Sequence, residues 1–236
     1  MNTSQPLVVV LSCKKNFEKQ AILQKYFANK IDFIIVQGGS KETLLIDNIL
    51  NLNVDDSYEL LHLKIIEAYK LIYKKIKRPI LKIDDDTFLN IRNFKNYTFN
   101  FDYGGFLNSG KTYDYTYHQN KVTDKRFKTP ITDSYDYNFA LGGGYFLSKK
   151  ALKIFINNYN KASEASNHLE FKKGREDRLI GQVLHPFIDK INIKNDGYWI
   201  ERDTASFSAF KDTIFHPIDL QKFNTLISKR NTKFYV

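Results

Sequence analysis

A chain of 236 residues that is 42% hydrophobic and 26% charged has globular proportions and can bury a sizeable core as one large α/β domain or at most two small ones. One cysteine, Cys13, excludes an intrachain disulfide, and the longest early apolar run, Leu7 to Leu11, falls far short of the roughly 20 residues a bilayer span requires. Thirty-six Lys and Arg against 26 Asp and Glu leave a formal charge of +10, which favours anionic partners, but the cations are scattered and form no stripe of the kind nucleic acid selects.

In chain order, Leu7-Val8-Val9-Val10-Leu11 reads as a fully buried first strand. Asn16 is placed to cap a helix through Phe17, Ala21, Ile22 and Tyr26. Ile31 to Val36 is a second buried strand, closed by Gly38-Gly39. The longest helix is expected over Tyr58 to Lys77, with an apolar stripe at Leu61, Ile65, Ala68, Ile72 and Ile76. Pro79 stops it and opens a strand, Ile80 to Ile83, that runs into Asp84-Asp85-Asp86. This strand–helix alternation argues for a helix-layered α/β sheet, in which ligands sit beyond the carboxyl ends of the strands.

Phe101 to Leu107 is read as a strand, and 108–138, rich in tyrosine (Tyr113, Tyr115, Tyr117, Tyr135, Tyr137), as a long functional loop or lid. Gly142-Gly143-Gly144 precedes a helix capped by Ser148 and ending near Asn157. Asn160 to Asn167 reads as loop, Glu176-Asp177 opens a short helix with Leu179, Ile180, Val183 and Leu184 on its buried side, and a final helix of about ten residues follows Phe215-His216-Pro217.

Three adjacent carboxylates repel one another, so the triplet implies compensation by a cation or by solvent. In an extended backbone Asp84 and Asp86 face one way and Asp85 the other, a pair of hard oxygen ligands suited to Mg2+ or Mn2+. The alternative is an acidic turn at a strand end. The glycine triplet allows close backbone approach or positive φ, although a plain tight turn serves equally. Glu176-Asp177 either complements a helix dipole or supplies a general base. His216 is either structural or one nitrogen in a set of oxygen ligands.

Taken in order, these pieces resemble the β1,3-galactosyltransferase-like glycosyltransferases (family 31), from about Val8 to His216. Asp56-Ser57-Tyr58 through Lys64 is similar to the family's D-S-Y-x-x-L-T-L-K element, and Leu81 through Asn90 to its K-V-D-D-D-V-F-V-N strand. Gly142 through Ser148 is similar to G-G-G-Y-V-L-S, Glu176-Asp177 to E-D-V, and Phe215-His216-Pro217 to the late F-H-P. The chain departs from the pattern at Lys19, Leu23 and Tyr26 in the first helix, at Ala140-Leu141 before the glycines, and at Arg178.

The resemblance implies a single-domain GT-A (Rossmann-like) α/β fold with a mixed, mostly parallel sheet, a donor-binding half over about 1–107 and an acceptor half over about 108–236. It further implies a metal-dependent, inverting transfer from a UDP-sugar to a glycan or glycoconjugate hydroxyl. On that reading Asp86, His216 and Asp84 hold Mn2+ or Mg2+, and Asp84, Asp85, Lys64, Ser12, Gly143 and Gly144 bind the donor. Asp177 deprotonates the acceptor. For Lys64 a solvated helix face is the competing expectation. The competing function is a non-catalytic glycan- or nucleic-acid-binding module on the same fold. No nucleic-acid partner and no membrane span are expected, and the cysteine-poor chain is expected to work in the cytoplasm.

Overall fold

A computed structural model describes residues 5–108, 120–125, 137–165, 176–202, 204–210 and 212–229. Its centre is an eight-stranded sheet of β1 (Leu7–Leu11), β2 (Phe33–Gln37), β3 (Leu44–Ile46), β4 (Ile49–Asn51), β5 (Ile80–Asp84), β7 (Tyr103–Asn108), β8 (Phe139–Leu147) and β9 (Ile193–Asn195). Across the sheet they are ordered β3-β4-β2-β1-β5-β8-β7-β9. The pairs β1–β2, β1–β5, β2–β4 and β7–β9 are parallel. The pairs β3–β4, β5–β8 and β7–β8 are antiparallel, so the sheet is mixed and mostly parallel, as expected.

The uninterrupted apolar run of β1 reflects burial on both faces. Leu7, Val9 and Leu11 join one core with Ile65, Tyr69 and Ile72 of α2 (Leu61–Lys75), Phe155 of α4 (Lys149–Ala165) and Leu179, Ile180 and Val183 of α5 (Glu176–Leu184). Val8 and Val10 join the opposite core with Leu23 and Phe27 of α1 (Phe17–Phe27) and Phe94 of α3 (Ile91–Asn96). Each such side chain contributes about 1.5–3 kcal/mol by leaving water.

A second sheet was not legible in the sequence. It comprises β10 (Gly197–Arg202), β11 (Thr204–Ala209), β12 (Ile214–His216) and the two-residue β6 (Phe88–Leu89), side by side in that order. Phe207, Ile214 and Phe223 of the following α6 (Leu220–Lys229) pack with the α1 side of the main sheet.

Several expectations are corrected. The longest helix is α4, not the one after Ser57, and it continues through Ala165 where a loop was expected from Asn160. Asn158, just past the expected helix end, bonds back onto the helix instead of breaking it, its side-chain amide donating to the Ile154 carbonyl at 2.8 Å. Ser148 does cap α4, accepting from Ala151 N at 3.1 Å. Asn16 precedes α1 but makes no capping bond; its amide is used elsewhere. The glycine triplet is regular strand within β8, and Gly39 is the one glycine with positive φ among the described residues. The expected lid falls mostly outside the described residues, Tyr113, Tyr115, Tyr117 and Tyr135 included. Ser166 and Asn167, the end of the expected loop, also lie outside them, as do His118 and His168.

Candidate active site

β5 delivers Asp84 to the carboxyl edge of the main sheet, and there the extended backbone ends. Asp85 and Asp86 form a turn closed by Thr87 N donating to Asp84 O at 3.1 Å. The alternation expected of a strand is therefore replaced by a turn, yet the sorting it predicted holds. Asp85 points toward α1: its Oδ2 accepts from Ser12 Oγ and from Asn16 Nδ2, both at 2.7 Å, and Lys19 Nζ stands 3.4 Å from Oδ1. Asp84 and Asp86 point the other way, toward His216.

The second sheet brings His216 there. β12 pairs antiparallel with β6, Phe215 opposite Phe88 and Ile214 opposite Leu89, so the strand just after the triplet docks the strand carrying the histidine. His216 Nδ1 lies 3.1 Å from Asp86 Oδ1. One ligand atom from each of Asp84, Asp86 and His216 falls within 4.8 Å of the others. Two hard oxygens and an imidazole nitrogen fit Mn2+ or Mg2+, and the three side chains remain partly accessible, 30% for Asp84 and Asp86 and 17% for His216.

Gly143 makes this approach possible. A Cβ there would stand 2.6 Å from both His216 Cδ2 and Phe207 Cζ, so any side chain would drive the imidazole away. A Cβ on Gly144 would stand 2.8 Å from Ile214 Cδ1, and one on Gly142 3.0 Å from Glu176 Oε1. The triplet thus presents successive bare backbone to His216's strand and to the start of α5.

Asp177 sits there, 8% exposed, with Oδ2 accepting from Gly142 N at 3.0 Å and Oδ1 from Arg178 N at 2.8 Å. Lys82 connects it to the aspartates of the strand end. Its fully buried ammonium donates to Asp84 Oδ1 and Glu176 Oε1 at 2.6 Å and to Gly142 O at 2.5 Å. That residue was not singled out in the sequence. The available signal was a lysine inside the apolar run Ile80-Leu81-Lys82-Ile83, which burial obliges to find carboxylates.

The carboxylates titrate differently. Burial pushes Asp84 up to about 6, opposed by Lys82 and reinforced by Glu176. Burial and then Glu176 push Asp177 up to about 7 against Lys82. Burial also works against ionised Asp86, but the His216 ring outweighs it and, with Lys19 and Lys121, holds that carboxyl below its ordinary value. Burial would neutralise Lys82; Asp84 and Glu176 overcome it and raise its pKa.

Lys64 is not on a solvated helix face. It is fully buried, 2.5 Å from Asp56 Oδ1 and 2.8 Å from Ser12 O, at the end of β1. The departures from the family pattern are also structural: Leu23 is buried, Tyr26 donates to Leu89 O at 3.0 Å, and Arg178 reaches Tyr137 Oη at 3.4 Å. No described helix is long and apolar enough to cross a membrane.

Among solved structures, the chain is similar to a glycosyltransferase involved in the glycosylation of the major capsid of PBCV-1, at 15% identity and a TM-score of 0.36 over 68% of this chain and 70% of that one. It is also similar to apo mouse xyloside xylosyltransferase 1, at 10% identity and a TM-score of 0.37 over 80% and 84%. Neither score informs the chemistry. No curated protein matches. The family model described as Galactosyltransferase matches residues 30–194, most of the chain, including the Asp84–Asp86 turn, the glycine strand and Asp177. On the strength of that match, the chain belongs to the galactosyltransferase family of glycosyltransferases.

Proposed function

We propose that the protein moves a hexose or N-acetylhexosamine from a UDP-sugar to a hydroxyl of a glycan or glycoconjugate. The reaction inverts the anomeric centre, gives a β-linkage, β1,3 by family resemblance, and depends on Mn2+ or Mg2+. The observation that carries this reading is the convergence of Asp84, Asp86 and His216 on one point, joined through Lys82 to the strand and helix that hold Asp177.

Asp86 and His216, with Asp84, hold the divalent ion, which supplies Lewis-acid neutralisation for the departing diphosphate. Ser12, Lys64 and Asp85, at the ends of β1 and β5, line the nucleotide side. The bare backbone of Gly143 and Gly144 lets the donor lie close. Asp177 takes the proton of the acceptor hydroxyl as that oxygen attacks the anomeric carbon and the bond to the diphosphate breaks. A carboxylate raised to about 7 is matched to this task near neutral pH. No covalent intermediate on the protein is required. Residues 1–107 then serve chiefly the donor, and 108–236 supply the base and the histidine. The single cysteine supports a cytoplasmic site of action.

The non-catalytic alternative gives no account of a buried base joined by a lysine to an ion-binding triad; a pure binder needs neither. UDP release across a panel of UDP-sugars, with and without Mn2+, tests the proposal. Mn2+-dependent release from at least one donor is expected. UDP binding with no release from any donor, with a range of saccharide acceptors present, would make the protein a binder.

A further inference from the structure

Thr87 lies next to the proposed ion-binding residues and has no place in the mechanism above. It is fully buried, and its hydroxyl sits 2.8 Å from Gly143 O and 2.9 Å from His216 Nδ1. A carbonyl oxygen can only accept, so the single hydroxyl proton of Thr87 goes to Gly143. What the hydroxyl then offers to Nδ1 is a lone pair. Asp86 Oδ1 also lies 3.1 Å from Nδ1, in the direction of the proposed ion site. Nδ1 thus faces the lone pair of a hydroxyl whose proton is already committed, while no hydrogen bond to Nε2 is made among the described residues. Gly143 and Phe207 on the flank of the ring leave no room for it to slide off this contact.

We propose that Thr87 is a positioning residue that fixes His216 as the Nδ1–H tautomer and leaves the free electron pair on Nε2. Its relevance to ion binding rests on the proposed role of His216 as a ligand, since a neutral imidazole ligates through its unprotonated nitrogen and the bond made by the other nitrogen decides which one that is. A hydroxyl is needed for this.

The test reads the tautomer directly. Long-range 1H–15N spectra of metal-free protein, at a pH of about 8.5 where an ordinary imidazole is neutral, distinguish pyrrole-type from pyridine-type ring nitrogens. Wild type is expected to show His216 with the proton on Nδ1, and Thr87→Ser to keep it. The near-isosteric Thr87→Val is expected to show both tautomers and to bind Mn2+ about tenfold more weakly, the lower end for loss of an outer partner of a ligand. Thr87→Ala repeats the loss of the hydroxyl should the valine variant not fold. A wild-type proton on Nε2, or a tautomer unchanged in variants lacking the hydroxyl, overturns the proposal. Turnover does not enter the readout: a protein with this tautomer and no UDP release would sink the proposed function and leave the role of Thr87 standing.

Discussion

Asp86 and Asp177 are the same residue type in opposite circumstances, and the contrast separates two roles. Asp86 lies in a turn, partly open to solvent, against an imidazole that favours its ionised form. Asp177 lies at the first turn of a helix, closed off from solvent and beside Glu176, and retains its proton up to about 7. A carboxylate that must hold a cation works best if always ionised. One that must accept a proton works best with a pKa near the working pH. The environment, not the residue, makes the assignment.

The contrast can be broken from either end. Asp86→Ala is expected to abolish Mn2+-dependent UDP binding altogether, read by calorimetry with and without the ion; unchanged affinity would remove Asp86 from the ion site. Asp177→Asn is expected to leave that binding intact while slowing transfer by about 10²–10⁴, the usual range for a general base. Near-normal UDP release in this variant would show that the base lies elsewhere.

Lys82→Met strands Asp84 and Glu176 without their shared cation, and is expected to cost about 3–5 kcal/mol of stability, the range for removing one partner of a buried ion pair. Urea denaturation measures it, and a loss below about 1 kcal/mol, as for an exposed pair, would mean that the site is wetter than it looks. The smallest effects are on pH. Transfer is expected to fall about tenfold per unit below pH 7 as Asp177 gains its proton, and a rate independent of pH between 5 and about 7 would contradict that.

Stability runs the other way. The folded chain keeps the Asp177 proton up to about 7 while an ordinary carboxyl releases it near 3.8. The folded state therefore binds more protons in that window, and this group's contribution declines as pH rises from about 4 to 7. Asp177→Asn should flatten that part of the melting-temperature profile; an identical profile in both proteins would show an ordinary pKa.

Much of this was legible because periodicity is a local signal. An unbroken β-branched run such as Leu7–Leu11 reports burial on both faces wherever it lies, and the stripe of α2 reports one buried side. The end of α4 misled because asparagine's preference for leaving a helix is also a local signal, and Asn158 satisfies it by bonding back to Ile154 without leaving. The second sheet was hidden because Phe88-Leu89 and Ile214–His216 are too short to show alternation. They are strands because of what they pair with: Phe88-Leu89 with Phe215 and Ile214, and Ile214–His216 with Phe207–Ala209 on its other edge.

The amino-acid order alone determined which chemistry was available: three carboxylates at the end of a buried strand, three glycines in a row, an acidic pair opening a helix, and a histidine, His216, between a phenylalanine and a proline. Order sufficed there because covalent neighbours stay neighbours in any fold. Only the tertiary structure decided that His216 meets Asp86 rather than solvent, that Lys64 is interior, and that Lys82 joins Asp84 to Glu176. Those contacts span 130, 52 and 94 positions, and a charge buried at such a distance is compensated by whatever the packing of two sheets brings within reach, which no local pattern encodes.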